Sequence, residues 1–203
     1  MRFRAKPVGA ILAGGRGLRI GGEKATVELH GKPLVCYPVE AVRQVLKRVA
    51  VLAKAGTQLP PLSGIAVWLE PETPRHPLVG ITQALALAGG RPALVCAGDM
   101  PFVTPELVRR LVNAHPGRSP AVVACARGNM QPLLGCYQPR ALELLTPAAR
   151  AATAPLIETV AAIEPVLLEA DEPEELFDVD TPDDLLLAAA MLDQRGVPAP
   201  GRH

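Results

Sequence analysis

Aromatic residues are scarce in this sequence: three Phe, two Tyr and one Trp make up 3% of 203 residues. The core must therefore be packed from Ala, Val and Leu, which a hydrophobic content of 49% supplies. Charge of one sign is missing too. Twenty-one Lys and Arg stand against 20 Asp and Glu, a formal net charge of +1. Such a chain lacks the concentrated basic field by which proteins hold nucleic acid or an anionic membrane. Long apolar runs are also absent. After the basic start Met1-Arg2-Phe3-Arg4-Ala5-Lys6, the apolar stretch 8–13 gives way to glycines. It is too short for a signal peptide's apolar segment or a membrane span. The expectation is a soluble, cytoplasmic protein.

Clustered thiols are lacking as well. Cys36, Cys96, Cys125 and Cys136 lie far apart, with no Cys-x-x-Cys and no His pair nearby. They read as small buried hydrophobes rather than as a metal or redox centre.

What the chain does have is a glycine-rich loop directly behind its first apolar stretch: Leu12-Ala13-Gly14-Gly15-Arg16-Gly17-Leu18-Arg19-Ile20-Gly21-Gly22-Glu23-Lys24. Glycines let the backbone turn sharply and bring its N–H groups against an anion. Arg19 and Lys24 add two cations to the same loop. This is how proteins hold a chain of phosphates. The loop departs from the two commonest templates, with Glu23 where a Walker loop needs Lys and Ile20 where a dinucleotide fingerprint needs Gly.

Strand and helix signals alternate along the chain. Strands are expected at 8–13, 49–53, 65–69, 93–97, 121–125, 133–137 and 166–169, with a loop over 126–132. Helices are expected at 34–47, 77–87, from Thr104-Pro105-Glu106 onward, and at 139–145, 155–163 and 182–192. Thr104 and Thr181 read as N-caps, each followed by Pro in the first turn. Residues 1–195 are expected to form one domain and the tail from 196 to be disordered. Alternation of this kind predicts a mostly parallel sheet with helices on both faces, binding ligands at the carboxyl ends of its strands.

Two acidic motifs fall in suitable places. Cys96-Ala97-Gly98-Asp99-Met100-Pro101 sets a carboxylate just past a buried strand. Mg²⁺ takes one or two protein carboxylates beside phosphate oxygens and waters, so Asp99 is a candidate anchor and a turn cap is its alternative role. In Phe177-Asp178-Val179-Asp180-Thr181-Pro182-Asp183-Asp184, Thr181 and Asp184 make a capping-box pair. Asp178 and Asp180 alternate about Val179 and so share a side. Two carboxylates side by side repel unless a cation sits near them, which makes Asp180, with Asp178 behind it, a candidate second ligand.

Taken in order, these motifs resemble the molybdenum cofactor guanylyltransferases among the MobA-like nucleotidyltransferases. Leu12, Gly14, Gly15, Arg19, Gly21 and Lys24 match the family's opening, and Gly31-Lys32-Pro33-Leu34 fits the turn that follows. Ile20 and Glu23 depart from its usual Met and Asp. Arg75-His76-Pro77-Leu78-Val79-Gly80 is similar to the family's Gly-Pro-Leu-x-Gly, with His76 replacing the first Gly, and His76 is given no chemistry. Gln131-Pro132 occupies the place of a His-Pro segment. Asp178-Val179-Asp180 stands where Asn-Val-Asn is usual.

The resemblance implies a three-layer Rossmann-like fold and Mg²⁺-dependent transfer of GMP from GTP to the terminal phosphate of molybdopterin. It implies catalytic Arg19, Lys24 and Asp99, and nucleotide binding by Leu12, Ala13, Gly14, Gly15, Lys24, Glu70, Pro77, Gly80 and Asp99. Metal binding falls to Asp99 and Asp180, and the acceptor side to Gln131 and Asp178. Molybdoenzyme chaperones are the implied protein partners. Leu12-Ala13-Gly14-Gly15 favours GTP, whereas Gly98-Asp99-Met100-Pro101 and the paired Asp178 and Asp180 lean toward a CTP-using relative or another small phospho-acceptor enzyme. A non-catalytic nucleotide-binding protein of the same fold is the remaining alternative.

Overall fold

The computed structural model describes residues 5–14, 16–17 and 22–196, with the side chains of residues 16, 17 and 22–24 outside that description. Seven strands form one sheet. They are β1 (Val8–Leu12), β2 (Val49–Lys54), β3 (Ala66–Glu70), β4 (Ala93–Ala97), β5 (Ala121–Ala126), β6 (Asn129–Tyr137) and β7 (Val166–Glu169). The spatial order is β7-β5-β6-β4-β1-β2-β3. All neighbours run parallel except β6, which is antiparallel to both β4 and β5.

The helices are α1 (Cys36–Arg43), α2 (Pro77–Leu87), α3 (Pro105–Asn113), α4 (Ala141–Ala151), α5 (Leu156–Ala161) and α6 (Pro182–Gln194). Period-two alternation along each buried strand feeds two cores. Ile11, Val51, Leu94 and Cys96 pack beneath α1 and α3 through Val39, Val42, Leu107 and Leu111. Ala10, Val95, Val123 and Tyr137 pack on the other face beneath α2 and α4 through Leu78, Ile81, Leu85 and Leu145. A third, smaller cluster joins Leu29, Leu34, Phe102 and Val179 to Ala188 and Leu192 of α6. The architecture is three-layered, as expected.

Three elements differ from the sequence reading. Helix α4, expected at 139–145, runs on past Pro147 to Ala151. The loop expected over 126–132 is a two-residue hairpin turn, Arg127-Gly128, joining β5 to β6. Both residues have positive φ, 51° and 78°, as the turn that matches strand twist demands. Arg at the first position concealed that turn. The ladder breaks between Met130 and Gly135, where Pro132 has no N–H to offer. Helix α1 is shorter than the apolar spacing over 34–47 suggested, because the chain must turn at Gln44 to enter β2. Leu46 is buried all the same, and its contribution to the core mimics helical periodicity.

Candidate active site

Strand order reverses between β1 and β4: the chain moves from β1 outward to β2 and β3, then returns to β4 on the other side. In open parallel sheets that reversal leaves a crevice at the carboxyl ends of the two strands. Leu12 and Ala97 are register partners there. The Gly98 N–H donates to the Leu12 carbonyl at 2.9 Å. A Cβ on Gly98 would lie 3.0 Å from that oxygen and 3.4 Å from Val35, so the residue after β4 approaches β1 this closely because it is glycine. One residue on, the Asp99 carbonyl accepts the Val179 N–H at 3.0 Å. Three segments distant in sequence therefore meet at one point: the start of the glycine loop, the Asp99 turn and the Asp178–Asp180 stretch.

Val179 is fully buried and Asp178 and Asp180 are exposed on either side of it, as the alternation required. The capping box holds this stretch in place. Thr181 Oγ1 accepts from the Asp184 N–H at 3.2 Å, and Asp184 Oδ2 accepts from the N–H groups of Thr181 at 2.8 Å and Asp180 at 3.1 Å. Asp99, half-buried, and the two exposed carboxylates offer only hard oxygen donors, the kind Mg²⁺ selects. Among the described residues no group of three His, Cys, Asp or Glu stands ready to hold a metal, and Mg²⁺ does not need one.

On the other side of the glycine loop lies an ion pair that the sequence reading half anticipated. Glu70, expected at the nucleotide, closes β3 and is the register partner of Lys54, which closes β2. Their charged atoms are 3.5 Å apart, and Lys54 Nζ also donates to the Pro71 carbonyl at 2.5 Å. A Cβ on Gly14 would come within 2.5 Å of Glu70 Oε2, so the Glu70 carboxylate lies directly on the glycine loop. Burial pushes the Glu70 carboxyl above its ordinary range, and the Lys54 charge pulls it back. Lys54 went unnoticed in the sequence. Its signal was a lone cation just past one predicted strand while a lone acid stood just past the next.

Helix α2 begins at the same pole. His76 is its N-cap: Nδ1 accepts from the Leu78 N–H at 3.2 Å, and Nε2 lies 3.1 Å from the Ala154 carbonyl. Pro77 is the first helical residue. Gly80 is buried, and a Cβ there would stand 3.0 Å from Leu12 Cδ1, so glycine lets α2 close on β1. Gln131 lies inside β6 rather than at a strand start, its Oε1 facing the Leu133 N–H at 3.4 Å. Gly15 and Arg19 lie outside the described residues. Lys24 opens a short 3-10 turn, Lys24–Thr26.

The family model described as MobA-like NTP transferase domain matches residues 9–162. The chain belongs to that family. This MobA-like nucleotidyltransferase is 30% identical over 88% of its length, and 96% of the relative's, to a Thermococcus gammatolerans protein named "Probable molybdenum cofactor guanylyltransferase". It is 38% identical to the Cereibacter sphaeroides protein named "Molybdenum cofactor guanylyltransferase", over 64% of this chain and 67% of that one. The solved molybdopterin-guanine dinucleotide biosynthesis protein A of Archaeoglobus fulgidus superposes with a TM-score of 0.73 at 25% identity, covering 92% of this chain and 98% of that one. A nucleotidyl transferase from Methanothermobacter shares the fold, with a TM-score of 0.76 at 22% identity over 94% of this chain and all of that one. Among the described residues of this nucleotidyltransferase, no helix is long and apolar enough to cross a membrane.

Proposed function

We propose that this nucleotidyltransferase moves GMP from GTP onto the terminal phosphate of molybdopterin and releases pyrophosphate. The observation that carries the reading is the meeting of Leu12, Gly98-Asp99 and Val179 through main-chain hydrogen bonds at the strand reversal. It is supported by the names of the relatives. An oxygen of the acceptor's phosphate monoester attacks the α-phosphorus of GTP, the new P–O bond forms, and the bond to the β-phosphate oxygen breaks. An ionised phosphate is already a nucleophile, so no general base is required, and positioning with charge neutralisation does most of the work. Backbone N–H groups from Gly14 and Gly15 hold phosphate oxygens. Arg19 and Lys24 offset the charge that develops on the departing pyrophosphate.

Asp99 and Asp180 would hold Mg²⁺, which supplies Lewis-acid neutralisation of phosphate charge when bound. Glu70, fixed by Lys54 against the loop, and Pro77 at the start of α2 face the nucleoside, while Gly80 seats that helix on Leu12. Asp178 and Gln131 flank the acceptor. The reaction belongs in the cytoplasm, with hand-over of product to molybdoenzyme chaperones.

A second reading, transfer of CMP from CTP to the same acceptor, is favoured by Asp at both positions 178 and 180. The test is Mg²⁺-dependent binding of GTP, CTP, ATP and UTP to wild type and Asp99→Asn, followed by turnover with molybdopterin. Selective GTP binding lost in Asp99→Asn is the expected result. CTP preference would move the enzyme to the cytidylyl reading, and absence of metal-dependent binding by any nucleotide would overturn both.

A further inference from the structure

The opposite pole of the sheet carries a second opening. A cleft of about 350 Å³ lies where β1, β2 and β3 begin and where α1 and α2 end. Val8, Leu87 and Trp68 contribute its apolar surface, polar atoms make up the greater part of its lining, and Arg43, Lys47 and Arg48 stand among the residues around it. No acidic side chain among the described residues lines it. Among the described residues none of the three cations is ion-paired, although Arg43 Nη1 donates to the Ser63 carbonyl at 3.3 Å. The carbonyl ends of α1 and α2 attract positive charge, which accounts for Arg43 in the last turn of α1. Lys47 and Arg48 come after that helix and remain to be explained.

We propose that this cleft is a second binding site, for a small organic anion with a flat apolar body. An aromatic phosphate or a nucleoside monophosphate has that chemistry. Arg43, Lys47 and Arg48, none of them ion-paired among the described residues, supply the attraction for the anionic head. The half-buried Trp68 offers a ring for the flat body to pack against. The volume falls within the range of roughly 300–1,000 Å³ usual for small-molecule sites. Asp99 and the glycine loop lie past the carboxyl ends of the strands and this cleft at their amino ends, so the site stands apart from the nucleotidyl-transfer chemistry and does not depend on that reading.

Trp68 is the chain's one tryptophan, so its fluorescence reports on this cleft directly. Full-length protein is titrated with phenyl phosphate, with GMP and with inorganic phosphate. The same titrations are run on a Lys47→Glu/Arg48→Glu double variant, whose altered side chains are both exposed, and on Asp99→Asn, with circular dichroism confirming each fold. The expected result is saturable quenching by phenyl phosphate and GMP, at least tenfold weaker in the double variant and unchanged in Asp99→Asn. Inorganic phosphate alone should bind at least tenfold more weakly than phenyl phosphate.

Absence of saturable quenching, or quenching indifferent to the double substitution, would overturn the proposal. Equal loss in Asp99→Asn would also do so, by moving the signal to the catalytic pole. Saturable quenching by polyglutamate without any response to phenyl phosphate or GMP would overturn it in favour of a protein-docking surface. Turnover by the double variant separates this result from the fate of the guanylyl reading.

Discussion

The Val179 N–H donates to the carbonyl oxygen of Asp99 at 3.0 Å, tying the segment before the last helix to the turn after β4. Because Val179 is fully buried among Leu29, Leu34 and Phe102, that bond is anchored from the hydrophobic side as well. Val179→Ala should cost about 2 kcal/mol of stability, the loss expected for two buried methyl groups and the space they leave. It should also weaken Mg²⁺-dependent nucleotide binding, since Asp180 would lose its fixed position. Urea denaturation and nucleotide titration check the two halves separately. Full stability with unchanged metal dependence would contradict the account.

Gly14→Ala and Gly98→Ala differ in what the new methyl meets. At Gly14 it meets a side-chain oxygen, Glu70 Oε2, which can swing away. At Gly98 it meets the Leu12 main-chain oxygen, which cannot. Gly98→Ala should therefore destabilise the fold by about 1–3 kcal/mol. Gly14→Ala should leave stability within about 1 kcal/mol while displacing Glu70, so its effect should fall on nucleotide affinity. Thermal melts set beside GTP binding decide it, and the reverse ranking would contradict the geometry.

Lys54→Met removes the charge that holds down the Glu70 carboxyl, which burial already raises above its ordinary 4.5. The Glu70 pKa should climb further, as carboxyl ¹³C NMR titration would read. The sign for stability follows from linkage. A carboxyl with a raised folded pKa contributes fully below its unfolded value, and that contribution is lost as pH rises through the folded one. The stability gap between wild type and Lys54→Met should thus be small near pH 4 and widen toward pH 7. A gap constant across that range would show that Lys54 acts through packing alone.

Thiol reactivity gives a test of the core. Cys96, Cys125 and Cys136 are buried, whereas Cys36 is half-buried. Burial, reinforced by its 3.0 Å hydrogen bond to Glu169, pushes the Cys125 thiol up to about 11. The thiolate is the reactive form. At pH 7.5 one thiol per chain should react with a maleimide, Cys36→Ser should abolish that reaction, and all four should react in denaturant. Native labelling of Cys125 would show that β5 opens at its carboxyl end.

Several elements could be read from the sequence because their signals are local. Helix α2 spans Pro77–Leu87 as expected, and β4 spans Ala93–Ala97, each bounded by residues that stop regular structure. Asp99 could be placed past the end of β4 because a strand–turn–acid pattern carries its own boundary, and Asp178 and Asp180 ahead of α6 because the Thr181–Asp184 capping box marks where that helix starts. The Lys54–Glu70 pair could not, since it exists only once β2 and β3 lie side by side in one register. The β5–β6 hairpin escaped because positive φ at Arg127 is imposed by strand twist rather than announced by Asn or Gly. Gly80 looked like part of a ligand-facing motif, and its packing against Leu12 needed the folded helix to become visible.

The third core cluster gives the catalytic pole an order of assembly. The bond between Gly98 and Leu12 needs only the first half of the chain, so the crevice between β1 and β4 can form early in synthesis. The wall over Asp99 is made by Phe177–Asp180 and secured by α6, which leave the ribosome after every other described strand and helix. A chain stopped before Phe177 would retain all seven strands yet lack both Asp178 and Asp180. On the proposed reading the site is closed only once the stretch 177–194 has been made, and a product truncated before it would carry the floor of the site without its closing side.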